Sequence, residues 1–199
     1  MKAIKSRKAK IEAKIGFLPE YQAYVDGVLA AGNGNQDDVI MTIMLWRLDA
    51  QQWEGALEIA AHALRHHLVM PSQIARDPAT VLVEEMADAA LAAADAGTPI
   101  PAELAEALTT AQDLTADSDM PDEVRAKAMK ALGLAARDAG QLAQAIELCR
   151  AALELDPKSG LKTELNRLLK QQANAAAIAA PTDAPPATED AGPQAGAGV

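Results

Sequence analysis

The sequence is poor in cysteine and in aromatic residues, and both shortages restrict the fold. Cys149 is the one cysteine among 199 residues, so no disulfide forms within the chain and a reducing compartment is expected. Its place on an apolar helical face favours a small buried side chain over a nucleophile. The aromatic residues all lie between positions 17 and 53, where we expect the densest core: Phe17, Tyr21, Tyr24, Trp46 and Trp53.

Long apolar runs and strand-like alternation are also missing. No run of 18 or more apolar residues would cross a membrane, and no apolar segment follows the basic N-terminus as a secretory signal requires. We therefore expect a soluble protein of the cytoplasm. Half of the residues are apolar, and many are alanine, which favours helices in close contact. The sequence predicts an all-α fold.

Charge is divided very unevenly along the chain. The net charge is −10, yet residues 1–14 carry six cations and a single acid, whereas residues 77–124 hold 12 acids and no Lys, Arg or His. Lysines near a duplex gain affinity by releasing counterions, so the basic segment is a candidate DNA-contacting arm. The alternative is a solvated N-terminus that frays. The acidic block is either a solvated face or a docking surface for a basic partner.

The stretch from 36 to 64 predicts two helices folded back on each other. Residues 37–48 are apolar almost all round, as in a buried helix, and Trp46 lies among them. Apolar residues recur at helical spacing from Trp53 to Leu64, and the interruption at 49–52 predicts the turn.

Proline, glycine and acidic residues divide the rest of the chain. We predict that Pro19 begins a helix that stops at Gly32, that Asn35 caps the next helix, and that further helices follow to residue 173. The predicted organisation is a basic arm at 1–15, a helical repeat-like domain at 16–173 and a disordered Ala/Pro-rich acidic tail at 174–199.

Residues 126–157 match a 34-residue tetratricopeptide unit. Leu132, Gly133, Ala145, Ala152 and Pro157 fall on pattern positions, and the small residues among them would let two helices approach closely. The stretch from Asp37 matches the same pattern less well, which predicts one good and one degenerate helical pair.

Motifs for catalysis are nearly absent. His62 and His66 are four residues apart, a spacing that binds metals, but no further ligand completes the site, so we interpret both as solvated or capping. Asp122, with Asp156 and Lys158, fits a metal-dependent nuclease pattern only loosely, because such sites hold two carboxylates and a lysine together on strands, whereas Asp122 is predicted to open a helix and Asp156 to lie in a turn. We predict no catalytic residue, metal site or cofactor, and whether the protein is an enzyme stays open.

Several strings resemble the GpM family of phage terminase small subunits. They are QDDVIMTIMLWRLDA at 36–50, GALEIAAHALRHHLVMP at 55–71, DMPDEVRAKAMKALG at 119–133 and, less closely, LPEYQAYVDGVLAAGNG at 18–34. The resemblance covers roughly residues 2–170 and implies a role in phage DNA packaging within the host cytoplasm. Such subunits recognise the genome end, assemble generally as rings, and act with a large ATPase subunit to cut concatemers and fill the capsid. The family is often described as the terminase endonuclease subunit.

The leading hypothesis is therefore a DNA-recognition and scaffold subunit that partners viral double-stranded DNA, the large subunit and further copies of itself. Some family members end in a basic tail, whereas this tail is acidic, so the predicted phosphate contacts fall mainly on the arm. The alternatives are a metal-dependent endonuclease in its own right and a generic tetratricopeptide-like adaptor. The candidate DNA-binding residues are Lys2, Lys5, Arg7, Lys8, Lys10 and Lys14, with Arg125, Lys127 and Lys130 as a second set.

Overall fold

The computed structural model describes residues 4–179, which form eight α-helices and no strand. The predicted all-α fold is confirmed. In chain order the helices are α1 Arg7–Ala31, α2 Asp38–Asp49, α3 Trp53–Arg65, α4 Pro78–Asp95, α5 Ala102–Leu114, α6 Asp122–Asp138, α7 Leu142–Leu155 and α8 Lys162–Ala179. None of these helices combines the length and the apolar character that a membrane crossing requires.

The predicted pair at 36–64 is present as α2 and α3. Helix α2 is buried on most sides, with Ile40, Met41 and Met44 fully covered. Its turn into α3 places Gln51 at φ 58°, the left-handed region, and the helices resume at Trp53. Trp46 is half-buried and meets the rings of Phe17 and Tyr21 at centroid distances of 6.3 and 5.9 Å. These contacts join α1 to α2.

The N-cap of α2 is Asp37 and not the predicted Asn35. One carboxylate oxygen of Asp37 accepts hydrogen bonds from the backbone N–H groups of Val39 and Ile40, at 2.9 and 3.1 Å. Its other oxygen accepts from the Tyr24 hydroxyl at 2.6 Å. A carboxylate satisfies the free N–H groups and complements the positive helix end, which explains why it takes the cap.

Helix α1 runs without interruption through Pro19, so the prediction that Pro19 begins a helix is wrong. Proline removes the N–H that would bond to the carbonyl of Ile15. Ile15 and Gly16 are exposed, so water can reach the backbone where that bond is missing. The predicted end of α1 is confirmed, because Gly32 adopts φ 61° and its N–H bonds to the Val28 carbonyl. The basic segment and the following helix are thus one element.

Two apolar clusters hold the helices together, and α6 belongs to both. The larger cluster spans α1 to α5 and takes in Val124, Ala128 and Ala131 from α6. The smaller one lies among α6, α7 and α8 and includes Ala136, Cys149 and Leu168 (relative exposures 5%, 0% and 0%). Because it contributes to both clusters, α6 connects the C-terminal helices to the rest of the domain.

Small residues let α6 and α7 approach closely, as the sequence predicted. A Cβ added at Gly133 would lie 3.1 Å from the Cys149 sulfur and 3.5 Å from its backbone nitrogen. Ala145 and Ala152 on α7 are fully buried. The close approach is therefore built into the sequence, while the assignment to a tetratricopeptide repeat stays a prediction.

Helix α8 extends past the predicted end of the folded domain. It begins at Lys162 and continues to Ala179, so residues 174–179 are helical and were wrongly placed in the tail. Glutamine and alanine are good helix formers, which explains the extension. The remainder of the predicted disordered tail lies outside the described residues.

Arg47 is the buried cation of the main core, with a relative exposure of 5%. Its guanidinium donates to the side-chain carbonyl of Gln22 on α1 at 2.9 Å and lies 3.8 Å from a Glu58 carboxylate oxygen on α3. It passes directly over Gly55, where an added Cβ would lie 2.0 Å from Nη1 and 2.7 Å from Cζ. The missing side chain of Gly55 makes room for an arginine that connects three helices.

We predict that Gly55→Ala lowers the free energy of unfolding by about 1–3 kcal/mol, because the buried Arg47 side chain must move and give up its partners. The measurement is chemical denaturation followed by circular dichroism. The matched control is Gly27→Ala in α1, where a Cβ meets nothing within 4 Å. That change should stabilise by about 0.5–1 kcal/mol, as expected for alanine in an open helical position.

The penalty should disappear in an Arg47→Met background, since the clashing guanidinium is gone. A Gly55→Ala penalty of equal size with and without Arg47 would contradict this explanation.

Candidate nucleic-acid interface

The described part of the basic arm, residues 4–15, forms the start of α1 and the segment just before it. Ser6 caps the helix by accepting a hydrogen bond from the Ala9 N–H at 3.3 Å. Lys5, Arg7, Lys8 and Lys10 are exposed and enter no ion pair or side-chain hydrogen bond within residues 4–179. Lys2 lies outside the described residues. The arm therefore presents at least four cations to solvent.

The charge of the arm works against its own helix. The first turn of α1 contains no acid, and its cations lie at the helix end where the macrodipole is already positive. Successive residues on a helix are 100° apart, so Lys10, Arg7 and Lys8 spread over about 160° of the helix surface and form a broad basic face, not a narrow stripe. An anionic partner such as a phosphate backbone would relieve this repulsion.

Lys14 belongs to the fold more than to the exposed arm. Its ammonium forms an ion pair with Asp49, the last residue of α2, and the two side chains are 17% and 28% exposed. This pair fixes the base of the arm against the end of α2. The structure thus separates Lys14 from the exposed cations with which the sequence grouped it.

The second predicted set, on α6, is engaged within the protein. Arg125 donates to the carbonyls of Thr115 and Ser118 at 2.9 and 2.7 Å, so it satisfies backbone groups at the end of α5. Lys130 donates to the Ser159 carbonyl at 2.8 Å. These bonds hold neighbouring loops and lie apart from the arm, because α1 packs mainly on α2.

Lys127 belongs to a charge network with the acidic block. It pairs with Glu84 and Asp88 on α4 at 3.3 and 2.9 Å, and Arg76 also pairs with Glu84. Burial lowers the pKa of Lys127, but the hydrogen bonds and charges of Asp88 and Glu84 outweigh it and the pKa is raised. Burial likewise raises the pKa of Glu84, yet Arg76 and Lys127 bring it below its usual value. Both groups stay charged at neutral pH.

His62 is buried, so its interpretation as a solvated or capping residue is wrong. Its relative exposure is 4%, and its ring centroid lies 4.6 Å from that of His66. Burial is the main cause of a lowered pKa, and the neighbouring His66 and Arg65 lower it further. The ring lies beside the backbone of Asn33, in the segment before α2, a contact that helical spacing alone does not reveal.

The remaining candidates for chemistry are dispersed. The Cys149 thiol is buried, and burial raises its pKa, as fits the predicted small core side chain. Asp122 begins α6, while Asp156 follows α7 and accepts a hydrogen bond from the Lys158 N–H at 2.8 Å. Across residues 4–179, no group of three or more His, Cys, Asp or Glu side chains is placed to hold a metal ion.

Comparison with known proteins assigns this helical domain and its basic arm to a class. The model of the phage small terminase subunit family matches residues 1–123, which include α1 to α5. The chain belongs to this family, which supports a role in phage DNA packaging. It is similar to the protein named "Terminase, endonuclease subunit" of Escherichia phage P2, with 45% identity over 171 residues, 86% of this chain and 68% of that protein. No solved structure matches the chain.

We predict that Arg125→Met lowers the free energy of unfolding by about 1.5–3 kcal/mol, because charge-assisted hydrogen bonds to the end of α5 are lost. The matched control is Arg150→Met on the exposed surface of α7, which should change stability by less than about 0.5 kcal/mol. Chemical denaturation of both variants gives the comparison. Equal stabilities would contradict the structural role of Arg125.

Proposed function

We propose that this chain is the DNA-recognition and scaffold subunit of a phage terminase. It binds viral double-stranded DNA through the basic arm, assembles with copies of itself into a ring, and acts with a large ATPase subunit in the host cytoplasm to cut and package the genome. Family membership supports the packaging role, and the exposed cations of the arm support the DNA contact.

The arm favours phosphate contact over base reading. Its exposed cations are Lys5, Arg7, Lys8 and Lys10, and side chains of this kind gain affinity through counterion release whatever the sequence. Fixing the arm to a helix that is packed on α2 limits the entropy lost on binding. The α6 set contributes less in this proposal, since Arg125, Lys127 and Lys130 already have partners within the protein.

The acidic surfaces suit a different partner. The block at 77–124 repels a phosphate backbone, so we assign the contact with the large subunit to this block or to the acidic C-terminal tail. The tail lies outside the described residues, and its part in the proposal rests on its composition.

We predict that replacing Lys5, Arg7, Lys8 and Lys10 together by Gln weakens DNA binding and flattens its salt dependence. Each phosphate contact contributes about 0.9 to the slope of log K against log[salt], so loss of four contacts lowers the slope by up to about 3.6. Fluorescence anisotropy with a labelled genome-end duplex at several salt concentrations measures both quantities.

A matched control removes one arginine and three lysines from the exposed surface elsewhere. The control residues are Arg150, Lys158, Lys162 and Lys170. Their replacement by Gln changes the net charge equally and should leave the slope nearly unchanged. Equal effects of the two quadruple variants would overturn the arm as the contact, and the absence of any DNA binding by the unaltered chain would favour a protein-binding adaptor.

A second candidate function is cutting of DNA by this chain itself. The observation that favours it is the name of the phage P2 relative, an endonuclease subunit. On this hypothesis the purified chain with Mg²⁺ or Mn²⁺ cuts a genome-end duplex, and Asp122→Ala or Asp156→Ala abolishes cutting. Cleavage that needs the large subunit would instead assign the nuclease to that partner.

A further inference from the structure

An open groove of about 840 Å³ lies between α3 and α5. Its floor is apolar, with Trp53, Leu57, Ala107 and Leu114 among the lining residues. Glu54 and Glu58 line it from α3, and Glu103 and Glu106 line it from α5. All four glutamates are exposed. The groove thus combines an apolar floor with acidic walls.

The negative charge of the groove is largely uncompensated. Within residues 4–179, Glu58 has one ion pair, with Arg47 at 3.8 Å, and no cation pairs with Glu54, Glu103 or Glu106. Glu54 and Glu58 are four residues apart on α3, and Glu103 and Glu106 are three apart on α5, so each pair occupies one side of its helix. An amphipathic helix with a narrow apolar face and flanking cations complements such a groove.

The chain itself contains a segment with this chemistry, the basic arm. Ile11 and Ile15 lie on one side of α1, four residues apart, and Ile15 is 45% exposed. At 100° per residue, Arg7 and Lys8 fall on opposite sides of this apolar seam. The helical part of the arm, residues 7–15, is about 13 Å long, and the lining of α3 from Trp53 to Ala61 has the same number of residues and therefore the same length, about 13 Å. Length, charge and apolar pattern all correspond.

The arm of the same copy is held away from its own groove. Residues 7–31 form one helix, and the ion pair between Lys14 and Asp49 fixes the base of the arm beside α2. No residue of the arm lines the groove. Folding back would require α1 to break and this ion pair to open, whereas a second copy can enter the open groove without either cost.

We propose that the α3–α5 groove of one copy receives the basic arm of a second copy. The contact is heterologous, so each copy offers both an arm and a groove and the association continues from copy to copy. DNA and the groove compete for the same cations, so DNA binding by an arm weakens its contact with the groove, and the groove contact weakens DNA binding. This interface rests on the self-association proposed above, and it forms whether or not the arm binds DNA.

Cysteine cross-linking of the full chain tests the contact directly. The variants are Lys8→Cys in the arm and Glu106→Cys in the groove, and the buried Cys149 stays in place. A mixture of the two variants should form a disulfide-linked dimer under mild oxidation, faster than either variant alone. A third variant carries both cysteines in one chain. The proposal would be overturned if the mixture forms no such dimer, or if the third variant forms its cross-link only within one copy.

Charge reversal provides a second test with a rescue. Glu54→Lys with Glu106→Lys reverses the groove, and Arg7→Glu with Lys8→Glu reverses the arm. Each double variant alone should self-associate about tenfold more weakly by sedimentation equilibrium, because like charges then face each other. A mixture should associate again, since the reversed arm fits the reversed groove and the unaltered arm fits the unaltered groove. Failure of the mixture to recover would overturn the proposal.

The matched control is Glu147→Lys with Glu154→Lys on the exposed surface of α7, which adds the same charge and should leave self-association unchanged. Circular dichroism establishes that each variant is folded. DNA titration separates the two proposals: the groove-reversed variant keeps its arm and should bind DNA at least as tightly as the unaltered chain. Weakened association with unchanged DNA binding supports the groove, and equal weakening by the control variant would overturn it.

Discussion

Close packing of small side chains is the constraint on which this structure depends. With five aromatic residues in 199, the helices cannot be held by large rings, and fully buried alanines such as Ala56, Ala87 and Ala128 bring backbones close together. A core of this kind leaves little room for additional atoms, as Gly133 beside Cys149 and Gly55 beneath Arg47 both show.

A core built of small residues buries little area per residue, and charged side chains contribute to the connections between helices. Arg47 joins α1, α2 and α3, Arg125 satisfies the end of α5, and Lys127 links α6 to α4. These cations serve the fold. The exposed cations of the arm do not, and their concentration at the positive end of α1 costs helix stability. That contrast separates the residues available to a partner from those that hold the domain together.

The sequence predicted the helices well because their signals are local. Apolar patterns predicted α2 and α3, and Gly32 predicted the end of α1. The lack of strand-like alternation predicted the all-α class. The errors arose where the outcome depends on solvent exposure of the backbone or on a neighbouring segment, which local signals do not show. Proline normally starts a helix, yet α1 continues through Pro19. Histidines at metal spacing are common on surfaces, yet His62 is buried. The composition of the basic arm was predictable from the sequence. The ion pair between Lys14 and Asp49, which separates Lys14 from the exposed cations, was not.

By itself the sequence determined the helical class, the charge division and the family, since each depends on residue type and order along the chain. Only the tertiary structure decided which cations are free, because Arg125, Lys127 and Lys130 find their partners on residues that the fold brings near. It also decided that glutamates from two separate helices face one apolar groove. Such convergence depends on which helices pack together and at what angle, and the periodicity within one helix does not specify its neighbours.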